Sequence, residues 1–324
     1  VSVRGESPPV GIRDAILRGI APDGGLYVPD HLPKLSPSFL EHLHNTSLHE
    51  IGRQMGSLFI EELSPDELLR IVEQAWNFPI PLVKLDDGIF LLELFHGPTL
   101  AFKDVGARFM AGVLSSFLSN EQKEVSILVA TSGDTGSAVA HGFYNAPRIS
   151  VFILYPSGKI SHLQEQQMTT LGGNIHPIEV EGTFDDCQRF VKEALADREI
   201  LRKHTLTTAN SINLGRLLPQ ITYYAWASAQ WLKEVSGAEE KPMFIVPSGN
   251  LGNLTAALYA KWMGVPMGSC IAATNSNDVV PEYLSSGKFL PRPSITTFSN
   301  AMDVGNPSNL ARIQFLYKNE LDRK

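Results

Sequence analysis

Lys103 stands in the run Leu100-Ala101-Phe102-Lys103-Asp104-Val105, with Phe109 and Met110 about two helical turns further on. An amine among apolar side chains has its ammonium form disfavoured, which frees a nucleophile for Schiff-base chemistry. The same run also reads as an exposed helical lysine, with Asp104 and Arg108 as a surface pair, and most lysines are exposed. Two other segments carry chemistry in their spacing. Thr131-Ser132-Gly133-Asp134-Thr135-Gly136 and Pro247-Ser248-Gly249-Asn250-Leu251-Gly252-Asn253 share the pattern Ser-Gly-(Asp/Asn)-x-Gly. Glycines admit close backbone approach, and a helix N-terminus behind such a loop adds free N–H groups and partial positive charge. Each loop therefore suits a phosphate or carboxylate, although tight turns ending in good helix caps carry the same residues. Neither is GxGxxG or GxxxxGK(S/T), which disfavours a dinucleotide site or a P-loop. Asp134 suits the orienting of a polar ligand group better than contact with a bare phosphate.

The elements around these residues explain how they are positioned. Ser64-Pro65-Asp66-Glu67 is a helix start with a capping box, followed by Leu68, Ile71, Ala75 and Trp76 at helical spacing and a stop at Pro79. From about residue 88 strand-length apolar runs alternate with helical patterns. Strand candidates are 89–94, 126–130, 150–155 and 243–246, and helical patterns follow at 137–144 and 254–263. Such alternation predicts an α/β fold with a parallel sheet covered on both faces. Ligands of such folds sit at the C-terminal ends of the strands, where both Ser-Gly loops fall.

HGPTLAFKD around Lys103 resembles the cofactor-lysine motif of the threonine synthase family. These are fold-type II pyridoxal-phosphate (PLP) enzymes, related to the tryptophan synthase β subunit. APDGGLYVP (21–29), TSGDTGSA (131–138), YPSGKISHLQEQQM (155–168), NSINLGRLLPQ (210–220), PSGNLGNLTA (247–256) and SNAMDVGNPSN (299–309) resemble further blocks of that family, in family order. The resemblance implies a helical N-terminal region over 1–84 and a PLP-binding region over 85–324. The latter holds two α/β subdomains, the smaller at roughly 97–216.

It also implies roles. Lys103 carries PLP as a Schiff base and moves protons. Ser248, Gly249, Asn250, Leu251, Gly252 and Asn253 hold the cofactor phosphate. Asp134 lies beside the cofactor hydroxyl, and Ser132, Gly133 and Thr135 beside the substrate carboxylate. Lys159, Ser161 and Gln164 are substrate-binding candidates, and Ser161 and Gln164 equally form a capping box. Asn213 and Arg216 are candidates for the substrate's anionic ends, since arginine binds carboxylate or phosphate bidentately. An ion pair within the fold accounts for Arg216 equally well. Asn300, Asp303, Asn306 and Asn309 line the cofactor side of the cleft or shape its loop. The implied reaction turns O-phospho-L-homoserine and water into L-threonine and phosphate, with closure of one subdomain over the other to keep water out. A phospho-lyase releasing 2-oxobutyrate would share these motifs.

Composition fits this reading. The 324 residues are 43% apolar and 19% charged, with net charge −7, so a broad basic face for nucleic acid is not expected. No apolar run reaches membrane-span length, the first residues do not read as a signal peptide, and the histidines have no metal-binding spacing. Two isolated cysteines, Cys187 and Cys270, fit a reducing compartment, which predicts a cytoplasmic protein, and a monomer or homodimer is expected. Family members continue beyond the SNAMDVGNPSN block with a segment that faces the PLP ring nitrogen. That segment is expected to be missing here, and a chain truly this short admits a non-catalytic binding protein as the alternative.

Overall fold

A computed structural model describes residues 1–119, 121–235 and 240–321. The N-terminal region is helical: α1 (Ile12–Arg18), α2 (Pro37–His42), α3 (Leu48–Ser57) and α4 (Pro65–Ala75). Helix α4 starts with a complete capping box. Ser64 Oγ accepts from the Glu67 amide, and the Glu67 carboxylate accepts from the Ser64 amide. Its stripe of Leu68, Ile71, Val72 and Ala75 is buried, packed on α3 and on α5 (Lys103–Leu118). Helix α5 is apolar on nearly all sides because α4 and its neighbours surround it, and it carries the core of the molecule past its first residue, Lys103.

Strands β1 (Leu82–Asp86) and β2 (Ile89–Leu92) form an antiparallel hairpin. The strand expected over 89–94 therefore exists but stands outside the parallel series. An Asp87-Gly88 connection, with Gly88 at φ 74°, folds it back on the segment before it.

The central sheet is parallel. Its strands β3 (Val125–Ala130), β4 (Ile149–Pro156), β5 (Ile175–Val180) and β6 (Thr205–Thr208) lie in the order β5-β4-β3-β6. The helices between them are α6 (Asp134–Phe143), α7 (His162–Thr169), α8 (Phe184–Ala196) and α9 (Arg198–Lys203). Ile127, Val129 and Ile153 join the main core with Val139 and Phe143 of α6. Leu128, Ala130 and Leu154 on the other face pack on Cys187 and Val191 of α8. Both faces are thus covered, as a parallel sheet requires.

After α10 (Leu214–Leu217) and α11 (Ile221–Glu234), β7 (Phe244–Pro247) leads into α12 (Gly252–Met263) and pairs in parallel with β8 (Cys270–Ala273). Helices α13 (Val279–Ser286) and α14 (Leu310–Leu321) complete the described residues, and 322–324 lie outside them. No helix among the described residues is long and apolar enough to cross a membrane. All strands of the central sheet run the same way, so the loops after β3 and β6 emerge on one edge, next to the loop after β7.

Candidate active site

Those three loops and the start of α5 enclose a cavity of about 320 Å³. Lys103 opens α5 on one wall. Its backbone is held by the loop before it, where the buried Asp104 carboxylate accepts from the Thr99 amide at 2.9 Å and from Thr99 Oγ1 at 2.5 Å. Leu100 takes a left-handed conformation, φ 58°, to close that turn, and the Tyr223 hydroxyl donates to the Phe102 carbonyl at 2.6 Å. A non-glycine residue at such an angle costs about 1 kcal/mol or more, and such strain collects at ligand clamps.

Lys103 is mostly buried, its side chain 14% exposed, so its amine is not the exposed surface group that its residue type favours. Burial pushes its pKa below the usual lysine value, and the nearby Arg216 charge pushes the same way. Asp134 opposes both, since Lys103 Nζ donates to Asp134 Oδ2 at 3.3 Å. The other oxygen of Asp134 accepts from Gln164 Nε2 at 2.6 Å. Gly133 allows that contact. It sits at φ 135°, and a Cβ there would run into the Gln164 side chain.

Opposite Lys103, Ser248 to Asn253 line the cavity where β7 passes into α12. Leu251, at φ 59°, is the residue before the helix, and no side chain caps that end. Helix α12 therefore begins with uncapped amides at the cavity, a ready anion cradle. A Cβ on Gly249 would lie 2.7 Å from the Met302 Cα, so only glycine admits the 300–302 turn this close. The loop is braced from below. Asn250 donates to Ser211 Oγ at 2.7 Å and accepts from the Ser308 amide at 2.6 Å, and Asn309 donates to the Asn250 carbonyl at 3.0 Å. Arg312, fully buried, ties this base together by donating to Tyr27 O, Ser211 O, Ile212 O and Asn309 Oδ1.

Among the residues singled out from sequence, Lys103, Ser132, Asp134, Thr135, Arg216 and the 248–253 loop line the cavity together. Arg216 is 3% exposed, its pKa is lowered to about 10 by burial, and Nη1 donates to the Ala209 carbonyl. Its Nε is buried without a partner among the described residues, and no carboxylate pairs with it, so the ion-pair reading of Arg216 does not hold.

Other residues singled out from sequence stand away from the cavity. Asn213 does not reach the cavity: it is fully buried and donates to Ile16 O and Thr208 O while capping Gly215 N, so α1 and α10 use up its polar atoms. Lys159 turns away and donates to the Gly182 carbonyl at 2.9 Å. Ser161 and Gln164 form the capping box of α7, and Gln164 meets the site only through Asp134. Asp303 and Asn306 line an adjoining cavity, and Asn309 supports Asn250. The sequence motifs did not single out Ser211, Gln188 and Lys192, which line the cavity, the last two from α8, or Arg312, which braces the loop from below. The Thr183-x-x-Asp186 capping box that starts α8 was the signal available for that helix.

Known proteins share this fold. The family described as "Threonine synthase N terminus" matches residues 1–76, and "Pyridoxal-phosphate dependent enzyme" matches 76–320. Threonine synthase from Serratia marcescens is 47% identical over 96% of this chain and 72% of its own length. This chain belongs to the threonine synthase family. The crystal structure of threonine synthase from Escherichia coli superimposes with a TM-score of 0.92 at 42% identity, covering 99% of this chain and 74% of that one. PLP-bound threonine synthase from Brucella melitensis gives 0.90 at 37% identity, over 98% and 69%. A diaminopropionate ammonia lyase from Escherichia coli, at 16% identity and a TM-score of 0.57, shares the fold.

The threonine synthase family uses PLP, and the residues here fit that cofactor. A buried amine of lowered pKa stands ready for the aldehyde, and an uncapped helix start in the same cavity stands ready for the phosphate.

Proposed function

We propose that this chain converts O-phospho-L-homoserine and water to L-threonine and inorganic phosphate, in the cytoplasm, with PLP held on Lys103. The observation that carries the reading is the pairing of buried Lys103 with the uncapped α12 start across one cavity. Bound there, PLP supplies an electron sink for charge developing at the substrate Cα.

The chain's own residues supply the rest. Gly249 to Asn253 hold the cofactor phosphate. Ser132 and Thr135, at the start of α6, take the substrate carboxylate, which places Cα near Lys103. Lys103 Nζ, biased toward the neutral amine by burial, removes the Cα proton and returns protons later in the sequence. Asp134 orients Nζ and is itself held by Gln164. Arg216, whose guanidinium lines the cavity, offers its charge to an anion. The unit around the β5-β4-β3-β6 sheet, roughly 97–216, closes over the remainder to keep water out until it is needed.

Product analysis tests this reading. With O-phospho-L-homoserine, L-threonine and phosphate are expected in equal amounts, and 2-oxobutyrate as the main product would refute it. Lys103→Ala is expected to abolish turnover and the absorbance band of bound cofactor.

A further inference from the structure

Lys192 lies on α8, away from every motif discussed above. The cavity walls among the described residues carry three cations, Lys103, Lys192 and Arg216, and one carboxylate, Asp134. We propose that Lys192 is the specificity-determining cation that binds the phosphate end of the substrate, a proposal that rests on the O-phospho-L-homoserine reading.

The assignment follows from where each cation is spent. Lys103 is committed to the cofactor. Arg216 is buried close to Lys103, anchored on the Ala209 carbonyl. It therefore serves groups next to Cα. The phosphate of O-phospho-L-homoserine is at the far end of the side chain and must sit further from Lys103. Lys192 is the remaining cation of the cavity, an exposed residue that also lines the adjoining outer cavity. It makes no ion pair or hydrogen bond among the described residues. Its neighbour Arg189 is already held by Asp186 and Glu193, each at 3.2 Å.

The surroundings of Lys192 also fix the side on which an anion rests. A second cavity of about 330 Å³ adjoins the first between α8 and the 303–306 segment, and Lys192 and Gln188 line both. That outer cavity carries Asp185, Glu193 and Asp303, with Arg189 already paired. Asp303 is kept in place by bonds from Thr297, Asn275 and Asn277. A phosphate dianion is repelled from the outer cavity and attracted to Lys192 on the side that faces Lys103. Lys159, the lysine favoured by motif, is spent on the Gly182 carbonyl.

The test uses the PLP-loaded protein as wild type, Lys192→Gln and Lys192→Arg, with melting curves to confirm folding. Inorganic phosphate is titrated by calorimetry. Lys192→Gln is expected to weaken phosphate binding by about 10- to 100-fold, the usual effect of one charge-assisted hydrogen bond, and Lys192→Arg to restore most of it. KM for O-phospho-L-homoserine should rise by a similar factor. Binding of L-homoserine, which lacks the phosphate and is read from the cofactor absorbance, should stay unchanged. Equal phosphate affinity in wild type and Lys192→Gln overturns the proposal. So does a wild type that binds no phosphate, or an equal loss for L-homoserine. A wild type inert toward O-phospho-L-homoserine would sink the substrate reading alone, because the phosphate titration still decides the role of Lys192.

Discussion

Replacing Asp134 by asparagine separates the two influences on Lys103. In the wild type, burial disfavours the ammonium and Asp134 partly restores it. The ammonium–carboxylate contact is 3.3 Å long, with Lys103 and Asp134 side chains 14% and 28% exposed. At an effective dielectric constant of about 20 the attraction is at most about 5 kcal/mol. Competition from water brings the net value to about 1.5–3 kcal/mol, as for other hydrogen bonds between charged groups. Without that attraction, Asp134→Asn should lower the Lys103 pKa further. The asparagine carbonyl can still accept from Gln164, which turns its NH2 toward Nζ and favours the neutral amine further.

The assay is the rate at which the cofactor-free protein combines with PLP, followed by absorbance across pH. Only the neutral amine attacks the aldehyde, so the rate rises with pH and levels off above the Lys103 pKa. Asp134→Asn should shift that midpoint to lower pH. The same change alters stability in a definite direction. The Lys103 pKa in the folded chain lies below its unfolded value, so between the two the unfolded state binds more protons, and the contribution of Lys103 to stability rises with pH. Asp134→Asn extends that window downward. A midpoint that stays put or moves upward would show that Asp134 does not hold the ammonium, and the account of Lys103 would fail.

Three further outcomes are expected. Gly249→Ala puts a methyl group 2.7 Å from the Met302 Cα, and should weaken PLP retention about tenfold or more in equilibrium dialysis, with a loss of about 1–3 kcal/mol in urea unfolding. Arg312→Met strands the carbonyls of Tyr27, Ser211 and Ile212, and should cost about 3–5 kcal/mol by the same measurement, with looser PLP binding because Asn309 no longer braces Asn250. Asn213→Ala should cost about 2–4 kcal/mol of stability, yet leave KM for O-phospho-L-homoserine within about twofold, and a KM rise comparable to that of Lys192→Gln would return Asn213 to the substrate site.

What could be read in the sequence was what short stretches determine. The capping boxes at Ser64 and Ser161 form because donor and acceptor stand three residues apart, whatever the rest of the chain does. The Ser-Gly loops fall after β3 and β7 because strand, turn and helix are each encoded locally, and the parallel sheet follows from their alternation. Pairing direction is not local. Residues 89–92 look like any other apolar run, and only contact with 82–86 makes them one half of a hairpin.

The distinction matters most at the site, where residue type and role part company. Asn213 and Arg216 sit three residues apart in one motif and looked equally able to bind an anion. The carbonyls of Ile16 and Thr208 reach Asn213 and consume it, while among the described residues no acid pairs with Arg216, which lines the cavity. Lys159 and Lys192 divide in the same way: the first finds the Gly182 carbonyl, the second finds no partner among the described residues and lines the cavity. In each pair the member that lines the cavity is the one placed to meet a ligand. A cation that lines a cavity and is not neutralised there can be neutralised by an anionic ligand. Motifs name the residues able to bind, and only the packing of distant segments decides which of them remain free to do so.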